Sequence, residues 1–203
     1  VSLCGVAFLA PLLIDPEAGI AVKYMCDLAH EDFTVSSVTD PGGFNENIDH
    51  CSGKVVPGSC PHMSRDEVGA TLAKVKTLCQ RSTADLYSAT QFGQQFMTID
   101  SLWAGNGVVV AQISQKSPRS TWHLEPAVFD AALHMIMMIQ PEGSVFLPYS
   151  IADVTILESS AHTKQLWGHM CLVESSVDSL VVDSILFDSE ACKTLVMLSG
   201  LTF

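Results

Sequence analysis

Two polar side chains, Asp130 and His134, stand inside the most apolar stretch of the sequence, Pro126-Ala-Val-Phe-Asp-Ala-Ala-Leu-His-Met-Ile-Met-Met-Ile139. Pro126 suits a first helical turn, where the missing N–H would be unpaired in any case. A spacing of four then puts the Asp and the His on one face, one turn apart. Burying a carboxylate in apolar surroundings is costly and favours the protonated form. A carboxyl group kept protonated and away from water is a general acid, able to hand its proton to a departing oxygen. The bland alternative is an Asp capped by backbone donors with a His filling the edge of a core. Spacing alone leaves both open.

Other reactive residues form weaker patterns. Cys60-Pro-His62 is half of a metal-site spacing, but no second pair stands at ligand distance, so it reads as a loop cysteine beside a loop histidine. There is no phosphate-binding glycine loop and no nicotinamide fingerprint; the Gly105-Asn-Gly107 turn belongs to a hairpin. Met135, Met137 and Met138 beside Ile136 and Ile139 read as plain core, with a flexible apolar lining as the alternative. Trp103, Trp122 and Trp167 read as packing residues. No metal or organic cofactor is implied.

The elements that must hold these residues are mostly strands. Residues 3–14, 19–28, 32–38 and roughly 48–56 carry apolar or alternating runs, broken by Asp15-Pro-Glu-Ala-Gly19 and Asp40-Pro-Gly-Gly43. Ser64-Arg-Asp-Glu67 is then a capping box, and Val68, Leu72, Val75 and Leu78 follow at helical spacing, which predicts an amphipathic helix over 65–80. Strand composition returns at 95–103, 106–114, 153–159, 166–173, 179–187 and 194–202, with Ala104-Gly-Asn-Gly107 as a tight hairpin. The Pro126 helix interrupts this second set. Because nearly everything in it is apolar, it is expected to be buried all round, enclosed by an antiparallel sheet in the arrangement called a hotdog.

Composition narrows the function classes. The chain has 203 residues, 10 basic against 22 acidic, for a formal charge of −12, with 48% hydrophobic and 16% charged residues. That is too apolar for intrinsic disorder and too acidic for binding phosphate backbones, so nucleic acid is excluded as a partner. The longest apolar run, 131–139, is too short to span a bilayer, and the N-terminal apolar stretch lacks the basic flank of a signal peptide. Seven cysteines at wide spacings with no C-x-x-C read as reduced, mostly buried thiols, and the expected compartment is the cytoplasm.

Leu124-Glu-Pro-Ala-Val-Phe-Asp-Ala-Ala-Leu-His134 resembles the H-P-A-x-L-D-x-x-x-Q/H motif of dehydratase domains in polyketide synthases. Gly143-Ser-Val-Phe-Leu-Pro-Tyr-Ser150, followed by Val154, is similar to that family's L-P-x-S-x-x-x-V. Leu86-Tyr87 and Phe92-Gly-Gln-Gln-Phe96 resemble its Y-x-x-L … Y-G-P-x-F segment, and Trp103 stands in its L-W position. Val1 to Leu13, with Phe8 and Ala10-Pro-Leu12, resembles the V-x-F-x-x-P-L strand, and Asn47-Ile-Asp-His-Cys-Ser-Gly53 resembles W-x-x-H-A-x-G. The matches run in order over essentially the whole chain.

The resemblance implies an α+β double hotdog that removes water from a β-hydroxyacyl chain on acyl carrier protein, giving the enoyl thioester. It makes Asp130 the acid that protonates the leaving hydroxyl and His134 the Gln/His beside it. Tyr149, Ser150, Pro148, Phe92 and Gly93 become candidate substrate-binding residues. The implied divisions are a partial first hotdog over 1–63, a connecting helix and linker over 64–84, and a second hotdog over 85–203. The implied partners are acyl carrier protein and other synthase domains, with a homodimer as a further option. Because the chain is acidic and its Lys and Arg are scattered, a carrier would be brought to it by tethering rather than by charge.

Departures from the pattern are also legible. The family's base lies in H-x-x-x-G-x-x-x-x-P, which does not occur in this sequence, and the helix expected to follow it is missing too. The expectation is therefore a dehydratase domain lacking its N-terminal part. Glu125 replaces the usual His, Phe92 replaces Tyr, and Gln94 replaces Pro. Of the remaining histidines, His50 matches a structural strand position and His123 stands at the entrance to the Pro126 helix. His30, His62, His162 and His169 are expected in turns or on strand edges, solvated. Two alternatives accompany the dehydratase reading: a non-catalytic scaffold of the same fold, and a product-template cyclase.

Overall fold

The computed structural model describes residues 2–10, 21–27, 29–38, 47–57, 63–88, 93–115, 124–140, 147–159, 163 and 165–203. Four strands come first, β1 (Ser2–Phe8), β2 (Ala21–Asp27), β3 (Asp32–Val38) and β4 (Asn47–Val56). Helix α1 (Arg65–Lys74) follows, with a 3-10 turn over Val75–Thr77, then β5 (Cys79–Arg81) and the short helix α2 (Thr83–Ser88). The hairpin β6 (Ile99–Gly105) and β7 (Val108–Ser114) precedes helix α3 (Pro126–His134), which runs into a 3-10 turn over Met135–Met138. The chain closes with β8 (Ser150–Ile156), β9 (Gln165–Ser175), β10 (Leu180–Asp188) and β11 (Lys193–Thr202).

The local signals act as their chemistry requires. Ser64 accepts from the Glu67 amide while the Glu67 carboxylate accepts from the Ser64 amide, so the capping box is formed in both directions. Asn106 and Gly107, at φ of 52° and 72°, make the two-residue turn between β6 and β7. Positive φ at both central positions is the twist-compatible hairpin geometry, and Asn-Gly is the pair that adopts it at least cost.

All eleven strands form one antiparallel sheet in the order β2-β3-β4-β1-β8-β11-β10-β9-β7-β6-β5. The first strand is thus inserted beside a strand from late in the chain. The β1–β8 seam carries in-register polar pairs: Ser2 and Thr155 hydroxyls lie 2.8 Å apart, and the Cys4 thiol donates to Asp153 at 3.0 Å. That bond to a carboxylate, with some burial, holds the Cys4 thiol above its usual range.

Around β7 the sheet carries a helix on each face. On one, α3 packs against β7 and β10. Ala131, Ala132 and Met135, all fully buried, share a core with Val109, Ala111, Ile113, Val182 and Leu186. Gly168 on β9 lets Met135 lie close there: a Cβ at that position would sit 2.9 Å from the Met135 methyl, which would have to shift. On the other face α1 packs across β7, burying Val68, and Val110 and Phe187 are fully buried outside the α3 core.

Several expectations need correction. The α3 helix is not buried all round: Pro126 is exposed, and Phe129, Asp130, Leu133 and Met137 are half-buried at helical spacing, leaving one accessible stripe. The described thiols pair with no other cysteine, but Cys4, Cys51, Cys171 and Cys192 are half-buried and Cys79 is exposed, so they are less enclosed than expected. The helix predicted over 65–80 stops at Lys74, and the strands predicted at 95–103 and 153–159 lie at 99–105 and 150–156. Residues 11–20, Cys60-Pro-His62, Trp122, His123 and His162 fall outside the described residues.

His169, expected to be solvated, is only 9% exposed because α1 lies over its face of β9; Lys74 of α1 donates to its Nε2 at 3.1 Å. Burial and the adjacent ammonium push the imidazole down to about 4. The unfolded ring, with its ordinary value near 6.5, therefore binds a proton that the folded ring refuses between pH 6.5 and 4, so stability falls as pH falls through that window. Between pH 7 and pH 5 this one group is expected to cost about 2 kcal/mol. Urea unfolding at the two pH values checks it. His169→Gln should lose most of that pH dependence, and Lys74→Met part of it.

Candidate active site

The apolar spacing that makes α3 a helix also sets its two polar groups. Asp130 and His134 lie one turn apart, with His134 Nε2 3.0 Å from Asp130 Oδ2. The imidazole is 4% exposed and the carboxylate 32%, so the His is core and the Asp sits at the margin between core and solvent. The full sequestration expected for Asp130 is not observed, because its side chain lies on the accessible stripe of α3. What the geometry supplies is a part-exposed carboxyl group with one oxygen 3.0 Å from the nitrogen of a buried ring.

Neighbouring elements fix this pair. Tyr87 of α2 meets the His134 ring edge-to-face, with centroids 5.8 Å apart and planes at 81°. At the start of α3, Thr98 donates to the Ala127 carbonyl at 3.2 Å. Glu125 occupies the N-cap position without capping the helix; its Oε2 is buried with no hydrogen bond among the described residues, and burial pushes the carboxyl up.

The candidate substrate-binding residues stand on two segments, at 92–93 and 148–150. Pro148 is half-buried and, with Leu147, borders a cavity of about 490 Å³ whose other walls are Phe8, Leu9, Ala10, Val35, His50 and Cys51. Neither Asp130 nor His134 lines it. Tyr149 is 67% exposed, Ser150 begins β8, Gly93 is exposed, and Phe92 lies outside the described residues. His50 is committed on both ring nitrogens: Nδ1 donates to the Ala10 carbonyl at 3.1 Å, which leaves Nε2 to accept from Ser37 at 2.7 Å. It has no lone pair free for a substrate proton. No cluster of three or more metal-ligating side chains occurs among the described residues.

A family model described as the polyketide synthase dehydratase N-terminal domain matches residues 67–203, which includes α3 and both of its polar groups. The chain belongs to the polyketide synthase dehydratase family. Solved structures of the family share the fold. The dehydratase domain of the CurJ module of curacin polyketide synthase is 21% identical with a TM-score of 0.76, over 99% of this chain and 73% of that one. The CurF dehydratase domain of the same synthase gives 0.80 at 17% identity, over 98% and 74%. The dehydratase domain of RzxB from Pseudomonas fluorescens gives 0.73 at 17%, over 100% and 74%. No curated protein matches the chain. The antiparallel sheet with α3 on one face is therefore the hotdog fold of the polyketide synthase dehydratases, as the motifs implied. Among the described residues no helix is long and apolar enough to cross a membrane.

Tyr87 is the residue of this site whose role the sequence did not expose. Its identity was visible in the Leu86-Tyr87 motif, but only the fold brings α2 against α3.

Proposed function

We propose that this chain carries the acid half of a dehydratase site, in which Asp130 protonates the hydroxyl leaving a β-hydroxyacyl thioester and His134 holds the carboxyl group. The observation that carries the reading is the 3.0 Å contact between Asp130 and a buried His134, inside the segment matched by the family model. Hydroxide is a poor leaving group, so loss of water needs a proton donor beside the oxygen. A carboxyl group at the edge of a core, 32% exposed and 3.0 Å from a buried imidazole nitrogen, is suited to that need. The reaction also needs a base for the α-proton. His50 is unsuited, since both of its nitrogens are engaged. A His→Phe variant of the related CurJ dehydratase is described as inactive, which supports the need for a histidine base. The H-x-x-x-G-x-x-x-x-P motif expected to supply it is not in this sequence.

The substrate is proposed to be a 3-hydroxyacyl chain on the phosphopantetheine arm of an acyl carrier protein, delivered by tethering among other synthase domains in the cytoplasm. No cofactor is required. The test is formation of enoyl thioester from a 3-hydroxyacyl pantetheine thioester, by the chain alone and by the chain joined to an upstream segment carrying the histidine motif. Enoyl product from either form supports the reading. No product from both leaves the scaffold role in its place. Cyclised poly-β-keto product would favour the product-template reading.

A further inference from the structure

We propose that Tyr87 is a positioning residue of this site, acting through His134 to hold the Asp130 carboxyl group; this rests on the dehydratase reading above. Three elements meet at the phenol. Its oxygen accepts the Ile99 amide at 3.3 Å, which ties α2 to the start of β6. Its ring stands at 81° to the His134 imidazole with centroids 5.8 Å apart, inside the range of favourable edge-to-face aromatic pairs. His134 Nε2 then lies 3.0 Å from Asp130.

The reason for such a wall is torsional. The outer torsion of a histidine is broad and roughly two-fold, so an imidazole on a helix does not choose one orientation unaided. A rigid aromatic plane set against it restricts the swing that would turn Nε2 away from Asp130. The phenol is itself held in place by the Ile99 bond, so the restraint is anchored in the sheet rather than in the six-residue helix α2 alone. Burial, with the Asp130 charge adding to it, keeps the Tyr87 hydroxyl above its usual range, so the phenol stays neutral.

A packing residue and a positioning residue differ in what they do to the imidazole. Histidine-labelled chain is studied by NMR relaxation of the His134 ring, with its resonance assigned by its loss in His134→Gln. Tyr87→Phe keeps the ring and should leave the His134 ring order parameter within ~0.1 of the parent. Tyr87→Leu keeps apolar bulk without the plane, and should lower that order parameter by ~0.2 or more. Where the chain turns over, Tyr87→Leu should lower kcat by about tenfold with KM within about twofold, because positioning is a transition-state effect. A His134 ring order parameter in Tyr87→Leu equal to that of the parent overturns the proposal. Should Tyr87→Leu not fold, Tyr87→Met, whose flexible side chain fills irregular space, takes its place with the same two outcomes. Absence of turnover both with and without the upstream histidine segment removes only the dehydratase reading, since the ring order still decides whether Tyr87 restrains His134.

Discussion

Asp130→Asn is expected to lower dehydration by about 10²–10⁴-fold in whichever form of the chain turns over, the range that a positioned general acid contributes. The amide has the size and planarity of the carboxyl group and still forms hydrogen bonds, so its contact with His134 can persist. It has no acidic proton to give, and the departing hydroxyl must then take one from water. Folding should be nearly untouched: the side chain is 32% exposed and the amide matches it in size, so a change within about 1 kcal/mol is expected. Single-turnover formation of enoyl product, set beside a thermal melt of the same sample, separates the two effects. A parental rate in the Asn variant would remove Asp130 from the chemistry. His134→Gln makes the contrasting case. The dehydratase motif admits Gln at this position, so a drop of no more than about tenfold is expected, because an amide N–H can donate to the carboxyl group in the imidazole's place.

How much of this site was readable depends on the range of each signal. The Ser64–Glu67 capping box and the Asn106-Gly107 turn are complete within four residues, and both form as read. The Asp130–His134 pair is equally local, needing only that 126–134 be a helix. Exposure was not legible. Phe129, Leu133 and Met137 are apolar on the open stripe of α3 just as Ala131, Ala132 and Met135 are on its buried face, so hydrophobicity did not say which side faced out. β5 and α2 were missed because three exposed residues and a single turn and a half of helix show no period. Tyr87 and His169 show the other limit. One meets α3 and the other meets α1 through contacts between elements distant in sequence. No spacing rule reaches that far.

The second large effect concerns the outer face of the sheet, which the sequence presented as a connector beside solvated strand edges. Phe187→Ala is expected to cost about 3–5 kcal/mol, the range for deleting a fully buried phenyl ring. Phe187 is 0% exposed, yet lies outside the core beneath α3, on the face that carries Trp167 and His169. The approach to α1 lies beside it. Its register partner Thr194, itself fully buried, accepts from the Met63 amide at 2.9 Å, one residue before the capping serine. The capping box, the buried Val68 and the Lys74–His169 bond then follow along the strands. If these contacts make one layer with the sheet, urea unfolding of Phe187→Ala stays a single transition, moved to lower concentration. Phe187→Leu, which leaves a smaller void, should lose clearly less. A loss under about 1 kcal/mol for the Ala variant, or a first transition in which α1 alone melts, would show instead that the helix is laid loosely on the sheet. In that case the pH dependence assigned to His169 should disappear with it, since that ring is kept dry by the same helix.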